Sequence, residues 1–291
     1  MAEPLNQVFF PSSLQELFSA WSRFPDAQPF AGGVGLIQGQ GNKILELPKN
    51  ILSMDKLEEL HRITRTERYL EIGAMVPLNK ILALGKIVPE AMKLCLQNIA
   101  GPQMRNVITI GGNICYPGRR LNLAVPLVAL DAHYELRNSQ NIRWISAARF
   151  SSLPGKPAIN QAELLTRIRI PLDQWNYTIF RKFRRGKSGN PGEVMLFLIK
   201  NQKNVLTDIR VIFGAETILR DKNSETLLIG KQLPLGKKDA LDFVEHWRTY
   251  LFALESPVYS PESEGAHPAL DDLTKAELLN FIESNILTIS E

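Results

Sequence analysis

Two glycine-rich segments constrain the fold of this chain of 291 residues more than any other feature. The first is Ala31–Leu36, which reads A-G-G-V-G-L, and the second is Thr109–Asn113, which reads T-I-G-G-N. Glycine admits positive φ values and close approach of a ligand, and consecutive N–H groups then form a nest suited to a phosphate. Each segment alone is also typical of a tight turn. The pair therefore predicts either two turns or two parts of one phosphate site.

Neither segment completes a familiar nucleotide-binding motif. The dinucleotide fingerprint G-x-G-x-x-G fits Gly33 and Gly35, but Gln38 occupies the third glycine position, and the residues that follow show no clear helix. The Walker A pattern finds its closing G-K-S at 186–188, but Arg181 occupies its first glycine position. We therefore predict neither a Rossmann site nor a P-loop.

The cysteines and histidines argue against a metal site and against a secreted scaffold. Two cysteines, Cys95 and Cys115, are too few for an iron–sulfur cluster or a disulfide framework. The four histidines lie at no metal-ligand spacing to either cysteine. Residues 1–4 open no signal peptide, and no stretch approaches the roughly 20 apolar residues of a membrane span. We expect a cytoplasmic protein with no metal and no membrane partner.

The charge pattern does not favour nucleic acid as a partner. The net charge of +4 and the isoelectric point near 9.0 raise that class, but acidic residues are interspersed with the basic ones. The exception is the run 181–187, R-K-F-R-R-G-K, which carries no recognisable reading motif. We predict no nucleic-acid partner, and the run is open to interpretation as a solvated loop or as a contact with an acidic protein surface.

Apolar periodicity and capping patterns divide the chain near Pro171–Trp175, with a softer boundary at Asn50–Asp55. Ser13 and Glu16 form a capping-box pattern ahead of a helical apolar stripe that ends at Trp21. Further helices are predicted at 78–84, 89–98, 239–254 and after a second capping box at Thr274–Glu277. Strands are predicted at 43–47, 69–72, 134–136 and 163–171, and an antiparallel sheet at 177–183, 194–199, 205–213 and 226–229.

The order of segments around the two glycine loops resembles the FAD-binding subunit, or middle domain, of the molybdenum hydroxylases. That family includes the flavin portion of xanthine dehydrogenase and the medium subunit of carbon monoxide dehydrogenase. Its members carry A-G-G-x followed by Asp, Asn or Ser, and further along T-I-G-G-N. Flanking segments are similar at 70–74, 102–107, 129–132, 164–171 and 180–182. The resemblance covers roughly Ser12 to Gly214, which is most of the chain.

The resemblance implies an α+β protein, with a two-subdomain FAD-binding fold of the PCMH type and a C-terminal antiparallel sheet with helices. Its domains are 1–54 and 55–171, which are the two FAD-binding subdomains, and 172–291, which is similar to the C-terminal domain of the carbon monoxide dehydrogenase flavoprotein. FAD is expected in the cleft between the subdomains, its pyrophosphate held by backbone N–H groups of both loops. The cofactor-binding residues implied are Ala31, Gly32, Gly33, Val34, Gly35, Leu36, Thr109, Ile110, Gly111, Gly112, Asn113 and Lys182.

The resemblance also implies a role and partners. In the family, electrons from two 2Fe–2S clusters on a partner reach FAD and pass to NAD, a quinone or another acceptor. Lys182 is expected near the isoalloxazine, where a cation stabilises negative charge on reduced flavin. No catalytic side chain is implied, because the redox chemistry is the flavin's. The expected partners are a molybdopterin-binding large subunit and a 2Fe–2S small subunit, and the chain is expected to be an oxidoreductase subunit.

Two departures from the family pattern leave an alternative open. Relatives usually place Thr or a small residue and then a polar one where Val34-Gly35 stands here. After Asn113 they read N-x-A-x-A-S-P-x-x-D, whereas residues 114–120 read I-C-Y-P-G-R-R, with no acid. The arginines at 119 and 120 are able to pair with phosphate, and Tyr116 is suited to stacking or to partial burial in a loop. The alternative is a degenerate family member that acts as a scaffold subunit without flavin.

Overall fold

The computed structural model describes residues 7–41, 43–116, 122–152, 157–183, 193–214, 218–253, 270 and 272–290. Its strands are β1 (Gln7–Phe9), β2 (Gln28–Phe30), β3 (Asn50–Ser53), β4 (Ile63–Arg65), β5 (Tyr69–Gly73), β6 (His133–Arg137), β7 (Ile142–Ser146), β8 (Leu164–Pro171), β9 (Tyr177–Lys182), β10 (Val194–Gln202), β11 (Val205–Gly214) and β12 (Ile218–Arg220). Its α-helices are α1 (Leu14–Arg23), α2 (Val34–Gln40), α3 (Leu78–Leu82), α4 (Glu90–Gln97), α5 (Pro102–Arg105), α6 (Ile110–Ile114), α7 (Ala124–Ala129), α8 (Ala147–Phe150), α9 (Lys222–Leu228), α10 (Lys237–Ala253) and α11 (Asp272–Ser290). Short 3-10 helices lie at Glu58–His61 and Gly85–Ile87.

The chain divides into two compact units that are not contiguous in sequence. Unit 1 comprises Met1–Pro117, Leu130–Phe150 and Pro157–Asp173. Unit 2 comprises Gly118–Ala129, Ser151–Lys156 and Gln174–Glu291. The last boundary between the two units follows Asp173, which lies within the segment Pro171–Trp175. Both glycine-rich segments therefore belong to unit 1.

The first layer of unit 1 is a three-stranded parallel sheet in the order β1-β3-β2, beside α1. Ser13 caps α1, since its hydroxyl accepts the Glu16 amide hydrogen at 3.2 Å. The apolar stripe of α1 is buried in one core cluster with Leu52 of β3 and with Leu57 and Leu60. Strand β2 ends at Phe30, so this layer delivers the chain directly into the first glycine loop.

The second layer of unit 1 is a five-stranded antiparallel sheet in the order β4-β5-β8-β6-β7. Alternation along the strands buries one face. That face includes Leu70 and Ile72 of β5 and Ile168 and Ile170 of β8. Strand β5 ends at Gly73, where a Cβ atom would lie 2.2 Å from the Leu60 carbonyl oxygen, so only glycine fits beneath that turn. The following residue, Ala74, supports the second glycine loop.

Unit 2 is built on a four-stranded antiparallel sheet in the order β12-β11-β10-β9. Helices α10 and α11 contribute Phe243, Trp247 and Ile282 to a core shared with alternate residues of β10 and β11. Helix α7 packs against the same two strands, and all six of its residues are buried. The mixture of helices with antiparallel sheets agrees with the α+β class expected from the sequence.

Several predicted elements are wrong, each for a local reason. Residues 43–47 form no strand, and the strand that pairs with β1 and β2 lies a few residues later at Asn50–Ser53. Residues 226–229 fall in or after α9 instead of a strand, because the Asp221 carboxylate accepts the Asn223 and Ser224 amide hydrogens and starts a helix. The fourth strand of that sheet is β12. Thr274 lies inside α11, which begins at Asp272, and so does not cap it.

Several elements were not predicted, among them the short strands β1, β4 and β12 and the short helices α5, α6 and α8. Strand β7 at Ile142–Ser146 pairs with β6 along its whole length. Helix α2 follows Gly33 directly, although its glycines suggested no helix from the sequence. The remaining predicted helices and strands are present with bounds shifted by a few residues.

Candidate functional site

The first glycine loop presents backbone donors. Gly33 adopts a left-handed conformation (φ 69°), from which α2 begins with no side-chain cap. The first hydrogen bond across the turn joins the Ile37 amide to the Gly33 carbonyl oxygen at 3.1 Å. The amide hydrogens of Val34, Gly35 and Leu36 therefore have no protein acceptor among the described residues. Three convergent, half-buried N–H groups suit a phosphate oxygen.

The second glycine loop uses its backbone donors internally. The Ile110 amide donates to the Val76 carbonyl at 3.0 Å, and the Gly111 amide donates to the Ala74 carbonyl at 2.9 Å. Thr109 caps α6, because its hydroxyl accepts the Gly112 amide at 3.1 Å and its carbonyl accepts the Asn113 amide at 3.0 Å. The Ile110, Gly111, Gly112 and Asn113 amides are therefore engaged within the protein, whereas the first loop leaves three of its amides free.

Asn113 gives the second loop a different polar group. Its side chain is 6% exposed, and its Oδ1 atom has no hydrogen-bond partner among the described residues. A buried carbonyl oxygen without a donor is costly, so such an atom commonly faces a ligand or an ordered water. Gly112 beside it is exposed, whereas Ile110 and Gly111 are buried against the strand β5 turn. Gly112 is thus the exposed residue of the loop, and Ile110 and Gly111 support it from below.

The two loops come together within unit 1. A Cβ atom on Gly32 would lie 2.0 Å from the Val107 carbonyl oxygen, just ahead of the second loop. A Cβ atom on Gly112 would lie 4.0 Å from the Ala31 Cβ. Glycine at position 32 is required because the backbones touch there. The two glycine segments therefore lie in contact with each other in unit 1.

Arg105 supports the second loop, and sequence reasoning gave it no role. Its Nη1 donates to the carbonyls of Gln97, Ile99 and Ala100 at 3.2, 3.2 and 2.8 Å. Its Nε donates to Asn79 Oδ1 at 3.0 Å. Asn79 in turn donates to the Pro102 carbonyl and to Asn106 Oδ1 at 2.8 and 2.7 Å. These bonds fix the segment that leads to Val107, and the only sequence signal was the similarity of 102–107 to the family.

Lys182 lies in unit 2, at the end of β9, where it pairs with Val194 in register. The neighbouring Arg181 guanidinium stacks over Phe183 at 5.1 Å and Phe281 at 5.8 Å, so this end of the run is partly structural. Residues 184–187 and the arginines at 119 and 120 lie outside the described residues. Contact between Lys182 and a flavin stays a prediction.

Other features of the described residues do not compete with the loops as a site. A depression of about 650 Å³ is lined by Ser12, Asp55, Lys56, Glu58 and His61 and shares no residue with them. Within the described part of the chain, no group of three His, Cys, Asp or Glu side chains could hold a metal ion. None of the described helices combines the length and apolar content needed to cross a bilayer.

The two adjoining loops therefore suit a cofactor that carries a diphosphate. The first loop has free amides, glycines stand where the two loops approach closely, and the second loop carries a buried oxygen that has no partner among the described residues. Each feature is the kind that FAD binding requires.

Comparison with known proteins gives a consistent result. Residues 4–173, more than half of the chain, match the family model described as "FAD binding domain in molybdopterin dehydrogenase". The chain is 28% identical over 235 residues to the glyceraldehyde dehydrogenase medium chain of Sulfolobus acidocaldarius, covering 80% of this chain and 82% of that protein. It is 31% identical over 151 residues to the xanthine dehydrogenase FAD-binding subunit of Escherichia coli O157:H7, covering 50% and 51%.

A solved structure extends the likeness to the full chain. Quinoline 2-oxidoreductase from Pseudomonas putida 86 superposes with a TM-score of 0.78 at 22% identity, covering 100% of this chain and 98% of that one. At this identity the likeness establishes the fold. The fold class predicted from the sequence is confirmed.

Proposed function

This chain belongs to the molybdenum hydroxylase family as an FAD-binding subunit, and from that premise we propose that it carries electrons from a partner's 2Fe–2S clusters, through FAD, to an acceptor. Its cofactor is FAD, and it is a subunit of an oxidoreductase. The observation that carries the proposal is the set of free amides at Val34–Leu36, in a loop whose backbone contacts the segment ahead of the second loop through Gly32.

Each of the two loops has a defined task in this proposal. The amides of Val34, Gly35 and Leu36 donate to the anionic oxygens of the diphosphate. Asn113 Oδ1 accepts a hydrogen bond from a hydroxyl or amino group of the cofactor, which satisfies an otherwise orphaned atom. Gly32, Gly33 and Thr109 shape the two loops. FAD, when bound, supplies the ability to accept and pass on electrons.

The proposed role needs partner chains that supply electrons to FAD. Several of the similar proteins are named as medium chains or FAD-binding subunits, which are words for one part of an assembly. We propose a molybdopterin-binding large subunit and a 2Fe–2S small subunit as the other chains, and a cytoplasmic location for the complex. Lys182 belongs to this proposal as a cation beside the flavin.

FAD titration of the purified full-length chain tests the cofactor site. We expect flavin absorbance in the protein fraction, and a higher melting temperature with added FAD, since ligand at 100 times its Kd stabilises by about 2.7 kcal/mol. Riboflavin, which lacks the diphosphate, is the control and should bind far more weakly. Colourless protein that FAD neither binds nor stabilises would leave the scaffold alternative in place.

Reconstitution tests the electron-transfer role. We expect the bound flavin to be bleached by substrate only when the molybdopterin and 2Fe–2S subunits are present, and to be reoxidised by the acceptor. Chemical reduction with dithionite in the isolated chain is the control for a competent flavin. Bleaching by substrate in the isolated chain would overturn the proposed dependence on partners.

A further inference from the structure

Helix α2 is intrinsically weak although its first turn carries the free amides. It has seven residues, and two of its interior positions are Gly35 and Gly39. None of its side chains is buried, and no side chain caps its start. Glycine is among the poorest helix formers, and isolated helices shorter than about 12 residues are marginal in water. Contacts from outside the helix must therefore hold it in place.

The Tyr116 ring supplies the contact at the amide-bearing end. A Cβ atom on Gly35 would lie 2.7 Å from Tyr116 Cδ2 and 2.8 Å from Cε2, so the ring rests directly on the glycine backbone. A Cβ atom on Gly39 would lie 3.7 Å from the Tyr116 hydroxyl. Residues four apart share one face of a helix, so the two glycines form a surface without side chains on which one ring packs.

A second contact closes the other end of the helix. Gln40 Nε2 donates to the Glu46 carbonyl at 2.7 Å, and the Glu46 amide donates to Gln40 Oε1 at 2.7 Å. This pair lies beyond Gly39, on the side away from the free amides. The amide-bearing turn itself is thus held by Tyr116, which follows the second glycine loop in the chain.

We propose that Tyr116 is a positioning residue that keeps α2 folded and so sets the affinity for FAD. The inference rests on the proposed diphosphate contact at Val34–Leu36. When only a fraction of molecules has the binding-competent conformation, the apparent Kd rises by the inverse of that fraction. The ring carries the effect, because it makes the close contact with Gly35, while the hydroxyl meets Gly39 only at ordinary contact distance.

Four variants of the full-length chain give predictions of different sign. Tyr116→Ala should weaken FAD binding about tenfold or more, since a lost ring lowers the competent fraction, and Tyr116→Phe should stay within about threefold of the parent. Gly35→Ala should weaken binding, because its methyl displaces the ring. Gly39→Ala should bind FAD as tightly as the parent or more tightly, because 3.7 Å leaves room for a methyl and alanine favours helix.

The measurements are the FAD Kd by flavin fluorescence and the hydrogen exchange of amides 37–40 without FAD. Faster exchange in Tyr116→Ala, restored in Tyr116→Phe, supports the inference. A parent-like Kd or parent-like exchange in Tyr116→Ala overturns it, and so does tighter binding, which would mean that the ring occupies cofactor space. If that variant does not fold, the opposite signs at Gly35 and Gly39 still decide. A parent protein that does not bind FAD refutes the proposed function instead.

Discussion

Replacing Gly32 with alanine should separate the two glycine loops. The new methyl carbon would lie 2.0 Å from the Val107 carbonyl oxygen and 2.9 Å from its carbonyl carbon. Ordinary carbon–oxygen contacts begin at about 3.3 Å, so the two backbones must move apart by about 1.3 Å. No side-chain rotation relieves this contact, because the obstructing atoms belong to the backbone.

The size of the effect follows from that displacement. Overpacking of this kind costs about 1–3 kcal/mol of unfolding free energy. Each kcal/mol lowers the melting temperature of a domain of this size by roughly 2–4 °C. A shift of more than 1 Å also breaks a charge-assisted hydrogen bond to the diphosphate, worth about 1.5–3 kcal/mol, which weakens FAD binding roughly 10- to 150-fold.

Paired titration and melting experiments check Gly32→Ala. The control is Gly101→Ala, where the nearest atom to the new methyl is Gln103 Oε1 at 3.5 Å, the end of a flexible side chain. The control should match the parent in both FAD Kd and melting temperature. If Gly32→Ala also matches the parent in both, the contact between the loops does not constrain the site and the reasoning is refuted.

Three further substitutions test the supporting structure. Arg105→Ala should lower the unfolding free energy by about 1.5–3 kcal/mol in urea titration, because several carbonyls lose a charged donor; an unchanged midpoint would contradict this. Arg143 hydrogen bonds hold the pKa of the buried Glu163 below its ordinary 4.5, so that stabilisation is present above about pH 4.5 and is lost as pH falls through the lower folded value. Glu163→Gln should therefore flatten the acid side of the melting profile, and a profile parallel to the parent's would count against the pair. Gly214→Ala places a methyl 2.1 Å from Val125 Cγ2 and should cost about 1–3 kcal/mol in unfolding; a parent-like melting temperature would show that the Val125 side chain or α7 gives way without cost.

Sequence patterns predicted secondary structure correctly where residues within the element itself, or next to it, determine it. Ser13 starts α1 as the capping pattern indicates, although the Glu16 carboxylate returns to the Ser12 amide at 2.8 Å instead of to Ser13. The apolar stripe of α10 likewise comes from residues within one helix. In both places the sequence and the packing favour the same structure, which is why the pattern is sufficient.

Predictions failed where a distant residue decides the local structure. Helix α2 has too many glycines to be recognised, and the ring that rests on it comes from Tyr116, far along the chain. Thr226 to Ile229 has strand-like composition, but the carboxylate of Asp221 caps a helix ahead of it. Propensity is a weak signal that such contacts override.

The candidate site was predicted in part. The glycine-rich patterns of Ala31–Leu36 and Thr109–Asn113 identified both loops, and the structure shows their contact through Gly32. The sequence did not show that the Ile110 and Gly111 amides donate to the carbonyls of Val76 and Ala74, because those acceptors come from a separate turn. Nor did it assign a role to Arg105, whose acceptors are all carbonyls and so leave no trace in residue identity.

Helix α7 has a consequence for how the chain is made and divided. This helix is translated well before β10 and β11, the strands that bury it. The nascent chain therefore exposes an apolar segment until those strands have been synthesised. A gene split after residue 173 would leave α7 on one fragment and those strands on the other. The C-terminal fragment would then lack part of its own core, and the N-terminal fragment would expose an apolar helix, so we expect the protein to be expressed as one chain.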